Sequence, residues 1–332
     1  MSIATAFRAT AAATALFAAA SGPAAAGESF ILAHAMNSEH VFHVLSENFI
    51  ADLGGDFDVA YHPAGDLGDW TSIFEQTMQG VVPMSITWAA SEFDPRLDLT
   101  WLGYVASDWE SARAVYGPGS EMLRIYNDIL SDLDLVAIGI VPADFGSIVI
   151  RKGVDARPTN FPEDGRGVKI RVPGVAIGVD RFANFGFSAV PIPLAEVYTA
   201  LQLGTVDARA FSTAVESYNM RDVLDATILT NDYFDAAFWL VNKDWWEGLD
   251  AADRDELQAA ADKEIGAAWG EAEAKSDEYL AKLEAEGVEV IRLDDAQMAK
   301  AKAIVYENEW PAMEEVVGPE IMAKLRKAAG IE

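Results

Sequence analysis

The sequence predicts an α/β protein of two lobes that are spanned by one long helix. Two separate stretches, 28–88 and 135–211, each alternate strand patterns with helix patterns, which is typical of parallel sheets with helical connections. A single helical pattern then runs over 251–285, and at 1.5 Å per residue it would extend about 50 Å, more than the width of one small domain. The 332 residues are 51% hydrophobic, enough apolar material for two cores.

The first stretch has the order β-α-β-α-β, which implies a parallel sheet with right-handed crossovers. Its first helix carries apolar residues on one face and ends at Gly54, while Asp69 caps the second helix and Gly80 closes it. The predicted strands are 30–33, 57–61 and 82–88, and the predicted helices are 41–53 and 70–78.

The second stretch continues the alternation. Strands are predicted at 135–141, 147–151, 168–172, 189–192 and 206–211, helices at 175–185 and 194–203, and a further apolar strand at 238–241. No repeat and no low-complexity linker separates the two halves, so we expect several passes of the chain between the lobes.

Composition excludes several classes of function. The chain has 24 Lys and Arg against 53 Asp and Glu, a net charge of −29, so we expect no nucleic-acid partner and no adhesion to anionic membranes. It contains no cysteine, which excludes disulfides, zinc–thiolate sites, iron–sulfur clusters and cysteine nucleophiles. The G-x-S-x-G, P-loop and G-x-G-x-x-G patterns are absent, which disfavours an enzyme, and no cofactor is predicted.

A metal site has weak support in the sequence. His40 and His43 lie one helical turn apart, but H-x-x-H is not the zincin arrangement and no third ligand is indicated. A capping or surface position is the favoured interpretation for both histidines, and no metal is predicted.

The first 26 residues have the three regions of a secretory signal in order. Arg8 precedes an apolar run over 11–20, and the alanines at 24–26 satisfy the small-x-small rule for cleavage before Gly27. No other stretch approaches the ~20 apolar residues of a membrane-spanning helix. The sequence therefore predicts a signal peptide over 1–26 and an exported, periplasmic protein.

Two segments carry a specific family pattern. Residues 167–173 read G-V-K-I-R-V-P, and residues 196–207 read E-V-Y-T-A-L-Q-L-G-T-V-D. In this order and spacing they resemble the pattern of the DctP-type solute-binding proteins of TRAP transporters. The upstream segment H-P-A-G-D-L-G at 62–68 is similar to that family's Y-P-x-x-Q-L-G turn, and the resemblance covers most of 28–310.

The resemblance implies a two-lobed periplasmic-binding-protein fold with a cleft between the lobes. Lobe I would comprise 27–136 and 237–270, lobe II would comprise 137–236 and 271–310, and 311–332 would form a C-terminal helical segment. The implied function is that of a monomeric, non-catalytic subunit, which captures a small organic anion by lobe closure and delivers it to the membrane permease. Alternatives are a zwitterion such as ectoine as the solute, an exported sensor and an exported enzyme module.

The resemblance also assigns two arginines. Arg171 falls on the family's carboxylate-clamping arginine, and its place near the carboxyl end of a strand is where crevices form in α/β sheets. Arg151 falls where some members keep a second arginine facing the cleft, although an ordinary exposed pair with Lys152 is the favoured interpretation.

Four further residues occupy positions that contact the solute in family members. Phe211 stands where members present Asn or Trp, and Leu194 stands where many members place an aromatic ring, so both predict an apolar wall. Trp88 stands at a first-lobe contact, and Asn37 is a candidate in the loop after the first strand. Trp88 and Phe211 are equally well explained as core residues, since large apolar side chains near strand ends usually pack inside.

Overall fold

The computed structural model describes residues 28–154 and 160–331. Within them the strands are β1 (Ser29–Ala33), β2 (Asp58–His62), β3 (Met84–Thr87), β4 (Leu135–Phe145), β5 (Ser147–Arg151), β6 (Lys169–Val172), β7 (Ser188–Pro191), β8 (Ala208–Ser212), β9 (Leu224–Leu229), β10 (Phe234–Asn242) and β11 (Glu289–Arg292). The α-helices are α1 (Val41–Asp52), α2 (Trp70–Met78), α3 (Trp109–Tyr116), α4 (Glu121–Leu130), α5 (Ala176–Asn184), α6 (Val197–Leu203), α7 (Ala214–Asn219), α8 (Lys243–Gly248), α9 (Ala251–Ala285), α10 (Asp295–Val317) and α11 (Pro319–Ala329). The predicted signal segment, 1–26, lies outside the described residues.

The first sheet has five strands in the order β2-β1-β3-β10-β4. β1 pairs in parallel with β2 and β3, as the β-α-β-α-β pattern predicts. β10 is antiparallel to both β3 and β4, so the sheet as a whole is mixed. Every residue of β10 is buried, because this strand lies inside the sheet and its sequence is almost continuously apolar.

The second sheet has six strands in the order β11-β9-β5-β8-β6-β7. β6 runs parallel to β7 and β8, whereas β5 runs antiparallel to β8 and β9. Because β6 and β8 are parallel neighbours, their carboxyl ends meet at one edge of this sheet. The register places Arg171 of β6 opposite Arg209 of β8 near that edge.

The chain passes between the two sheets where one strand leads directly into the next. β4 continues into β5 through Gly146, and β9 returns to β10 through residues 230–233. The predicted lobe boundaries at 136/137 and 236/237 fall inside β4 and β10, and the predicted boundary at 310/311 falls inside α10.

The long helix α9 spans both lobes, over the same residues that the sequence predicts. Asp250 caps it by accepting hydrogen bonds from the backbone N–H groups of Ala252 and Asp253. The helix contacts β4 and α1 in the first lobe and α7 and β11 in the second. Gly139 of β4 permits the close approach, because a Cβ at that position would lie 2.3 Å from Cδ1 of Ile265.

Several helices and strands of the structure are not predicted by the sequence patterns. Among them are α3, α4, β9 and β11. The C-terminal helices α10 and α11 pack mainly against the first lobe, where α11 contacts α3 and α4, while α10 also reaches α5 of the second lobe. No helix among residues 28–154 and 160–331 combines the length and apolar character needed to cross a membrane.

Candidate functional site

A cavity lies between the two lobes and is lined from both. The first lobe contributes residues of α2, the segments after β3 and the start of β10: Trp70, Trp88, Trp101, Tyr233 and Asp235. The second lobe contributes residues of β6, β8, α7 and their connections: Arg171, Pro173, Leu194, Arg209, Phe211 and Glu216. A wider groove, also lined from both lobes, shares Trp70 and Leu194 with the cavity.

Arg171 is a buried cation with unused donors. Only 4% of the residue is exposed, and its Nε donates a 2.8 Å hydrogen bond to the carbonyl oxygen of Ile192, which orients the guanidinium. Its two Nη atoms have no hydrogen-bond partner, and the group forms no ion pair, within residues 28–154 and 160–331. Burial, and then the neighbouring charge of Arg209, lower the pKa of Arg171 to about 9. The group is therefore still cationic at neutral pH, and an anion beside it would be strongly stabilised.

The other arginine of the cavity is already paired. Arg209 Nη2 donates to Oε1 of Glu216 at 2.7 Å, and Oε2 of Glu216 accepts from the backbone N–H of Thr213 at 3.1 Å. Burial opposes ionisation of Glu216, but the charge and the hydrogen bond of Arg209, together with His40 and the backbone N–H of Thr213, outweigh it and hold the pKa of Glu216 below its usual value. The Arg209–Glu216 pair therefore contributes no net charge to the cavity.

Aromatic rings form most of the first-lobe wall. The rings of Trp70 and Trp88 meet edge to face with their centroids 6.1 Å apart, and Trp101 stacks on Tyr233 at 5.0 Å. Phe211 of the second lobe contacts Trp101 edge to face at 5.8 Å, so aromatic contacts join the lobes beside the cavity. Phe211 has a φ of 56°, a strained conformation for this residue type and one that is enriched at functional sites.

Asp235 is a buried carboxyl on the same first-lobe wall. Its Oδ1 accepts hydrogen bonds from Nε1 of Trp88 at 2.5 Å and from the hydroxyl of Tyr233 at 3.0 Å. Burial, and then the negative charge of Glu216, raise the pKa of Asp235 to about 7.

The structure brings four of the six predicted site residues to this cavity: Arg171, Phe211, Trp88 and Leu194. Arg151 is not among its lining residues. Its Nη2 lies 3.6 Å from Oδ1 of Asp207, and its Nη1 donates to the carbonyl of Lys152 at 3.0 Å. Asn37 is exposed outside the cavity and accepts a hydrogen bond from the backbone N–H of Glu39. Arg151 and Asn37 are therefore not positioned to contact a solute in this cavity.

The histidines take structural roles in the described part of the chain. His40 caps α1, because its Nδ1 accepts from the backbone N–H of Phe42 at 3.3 Å. His43 interacts with the hydroxyl of Tyr61 at 3.0 Å and lies 3.2 Å from the carboxylate of Glu47. No group of three or more metal-ligating side chains occurs among the described residues.

The sequence patterns do not predict the other residues that line the cavity. For Arg209 and Asp235 a signal existed, since each is a charged residue inside an otherwise apolar strand, and such residues need a partner or a ligand. For Trp70, Trp101 and Tyr233 no signal separates a cavity wall from an ordinary core position.

Comparisons with known proteins place the chain in a family. The family model described as "Bacterial extracellular solute-binding protein, family 7" (DctP) matches residues 33–313. The sialic acid-binding periplasmic protein SiaP of Vibrio cholerae is 25% identical over 284 residues, covering 82% of each chain. The ectoine-binding periplasmic protein TeaA of Halomonas elongata is 25% identical over 298 residues, covering 87% of this chain and 85% of the relative.

Solved structures agree on the fold. The ectoine-binding protein of the TeaABC TRAP transporter from Halomonas elongata superposes with a TM-score of 0.83 at 21% identity, covering 92% of this chain and all of that one. The sugar acid-binding protein DctPAm of Advenella mimigardefordensis, in complex with galactonate, gives a TM-score of 0.82 at 18% identity, covering 92% and 98%. These similarities confirm the predicted two-lobed α/β fold. The chain belongs to the DctP family of bacterial extracellular solute-binding proteins, the periplasmic binding subunits of TRAP transporters.

Proposed function

We propose that the protein binds a small solute carboxylate between its lobes, with Arg171 as the anchor, and delivers it to TRAP permease subunits without catalysing a reaction. The observation that carries this proposal is the guanidinium of Arg171, which is almost fully buried beside a cavity and has two Nη atoms without partners in the described chain. A buried cation without a counter-ion is costly, so a ligand anion is the natural partner.

Arginine suits this task because its planar fork can donate two parallel hydrogen bonds to one carboxylate. The net charge of −29 repels anions at long range, so an anionic group has to be held by a local, desolvated donor. The pairing of Arg209 with Glu216 leaves Arg171 as the cation of the cavity that is available for this role.

The relatives support the chemistry. The ligands named for these relatives and for structural neighbours include sialic acid, galactonate, succinate and ectoine. They also support a periplasmic location, with which the predicted signal over 1–26 agrees.

The way the cavity is built supports capture of the solute by closure of the lobes. The first-lobe wall and the second-lobe anchor come from different sheets, so a solute in the cavity contacts both lobes at once. A ligand that interacts with both lobes stabilises the closed arrangement over an open one.

A binding experiment tests the anchor. A thermal-shift screen of organic acids, sugar acids and zwitterions identifies a solute, and titration calorimetry then compares variants. Hydrogen bonds to charged groups contribute about 1.5–3 kcal/mol each, so Arg171→Ala, which removes two of them, should weaken binding by about 10²–10⁴-fold. Arg171→Lys should recover only part of that loss.

Arg151→Ala is the matched control, because it removes an arginine that is paired with Asp207 away from the cavity. It should leave the affinity within about twofold of wild type. If Arg171→Ala binds within about threefold of wild type, well under 1.4 kcal/mol, Arg171 is not the anchor.

A further inference from the structure

We propose that Asp235 forms a second, negative pole of the cavity and selects carboxylates that also carry a positive charge. The solute would then be a net-neutral zwitterion, with its carboxylate on Arg171 and its cationic group beside Asp235. This inference rests on the proposed function, since it takes Arg171 as the carboxylate anchor.

The hydrogen bonds of Asp235 leave half of its carboxyl group available. Both donors, Nε1 of Trp88 and the hydroxyl of Tyr233, bind Oδ1. In the part of the chain that the structure describes, Oδ2 has no hydrogen-bond partner. Two donors on one oxygen orient the carboxyl group on the cavity wall and stabilise its ionised form. A cation in the cavity is the partner that would complete this environment.

Each of the two poles of the cavity lacks an adjacent opposite charge until a ligand fills it. Four charged side chains line it: Arg171, Arg209, Glu216 and Asp235. The Arg209–Glu216 pair is internally neutral, which leaves one cation from the second lobe and one carboxyl from the first. A simple anion would pair with Arg171 but would leave Asp235 without a cationic partner. A zwitterion satisfies both groups, because each buried charge then has an opposite one.

The walls of the cavity favour the same class of solute. Trp70, Trp88 and Trp101 surround the first-lobe side, and indole faces attract cations, most strongly when the site is desolvated. The second-lobe wall contains Pro173, Leu194 and Phe211, which offer no side-chain hydrogen bonds. A solute with many hydroxyl groups would lose hydrogen bonds with water and find few replacements here.

Pairs of solutes that differ by one charge test the role of Asp235. Glycine betaine and 3,3-dimethylbutanoate have the same shape, but a quaternary nitrogen in the first replaces a quaternary carbon in the second. The longer pair is 4-(trimethylammonio)butanoate and 5,5-dimethylhexanoate. Calorimetry with each pair measures selectivity as a ratio of affinities, with succinate and galactonate added as plain anions.

In wild-type protein we expect at least one betaine to bind about tenfold or more tightly than its carbon counterpart. The comparison is stringent, because the cost of removing water from the quaternary ammonium group by itself favours binding of the carbon analogue, whose tail is uncharged. In Asp235→Asn the ratio should fall to within about threefold, while Arg171→Ala should weaken both members of the pair. Asp144→Asn is the matched control, because it neutralises another buried carboxyl that does not line this cavity, and it should keep the wild-type ratio.

Each other outcome overturns the inference in a recognisable way. If wild type binds the carbon analogues or the plain anions as tightly as the betaines, Asp235 does not select a cation, although the role of Arg171 stands. An unchanged ratio in Asp235→Asn has the same meaning. If no carboxylate of either kind binds, the proposed function fails together with this inference.

Discussion

The ionisation of Asp235 makes the stability of the protein depend on pH. Burial and the charge of Glu216 raise its pKa from 3.8 to about 7, so between these values the folded protein holds a proton that the unfolded chain releases. For a carboxyl with a raised pKa, the free energy of unfolding falls as the pH rises through this window. Of the other charged groups that line the cavity, Arg171 has a pKa of about 9 and Glu216 has a pKa below its usual value, so both stay charged at pH 7.

We therefore expect ligand-free wild type to lose stability relative to Asp235→Asn between pH 4 and pH 7, by up to about 4 kcal/mol. Urea unfolding of both proteins at pH 4.5, 6 and 8 measures the difference. Stability differences that stay constant over this range would show that Asp235 ionises normally in the folded protein.

Arg171 lines the cavity, and its position near the carboxyl end of β6 is one that the sequence predicts. The parallel neighbours β7 and β8 end at the same edge of the sheet as β6. Arg151 shows why a second residue could not be placed in the same way. β5 runs antiparallel to β8, so the end of β5 that approaches Phe211 is Ser147, which pairs with Ser212. Arg151 lies four residues further along, about 13 Å at the usual rise per residue. Whether a strand runs parallel or antiparallel to its neighbour depends on how the chain returns to the sheet in three dimensions. A local sequence pattern does not contain that information.

The same reason explains the errors at the level of elements. Apolar periodicity predicts β10 and α9 as elements, but it does not predict that β10 enters the first sheet antiparallel, between β3 and β4. The helices α3 and α4 follow a segment without a clear strand pattern, and the sequence does not predict them. In the structure Asp108 and Ser120 cap these two helices.

The crossing of α9 over β4 gives a test of packing between elements. Gly139→Ala would place a methyl group against Cδ1 of Ile265, and overpacking of this kind costs about 1–3 kcal/mol. Ile265→Val removes that Cδ1 atom. In the Ile265→Val background, Gly139→Ala should therefore cost less than half as much, as measured by chemical unfolding of the four proteins. Additive effects would show that the helix does not press on the strand at this point.

At the scale of the whole molecule, the two-lobed construction predicts motion. Ligand-free protein should sample an open cleft, and a bound solute that contacts both lobes should reduce the radius of gyration. Small-angle scattering with and without saturating solute measures this change. Arg171→Ala at the same solute concentration is the control and should keep the ligand-free value. An unchanged radius in saturated wild type would contradict closure.

The strand order also determines which lobe can be completed first as the chain emerges from its N-terminus. The chain is made from its N-terminus, and β3 and β4 exist long before β10, the strand that separates them in the first sheet. About 90 residues lie between the end of β4 and the start of β10. During this interval β5 to β9, five of the six strands of the second sheet, emerge. The lobe that begins first is therefore completed only after most of the other lobe is available. Until then β3 has one unpaired edge and β4 has no partner in the first sheet.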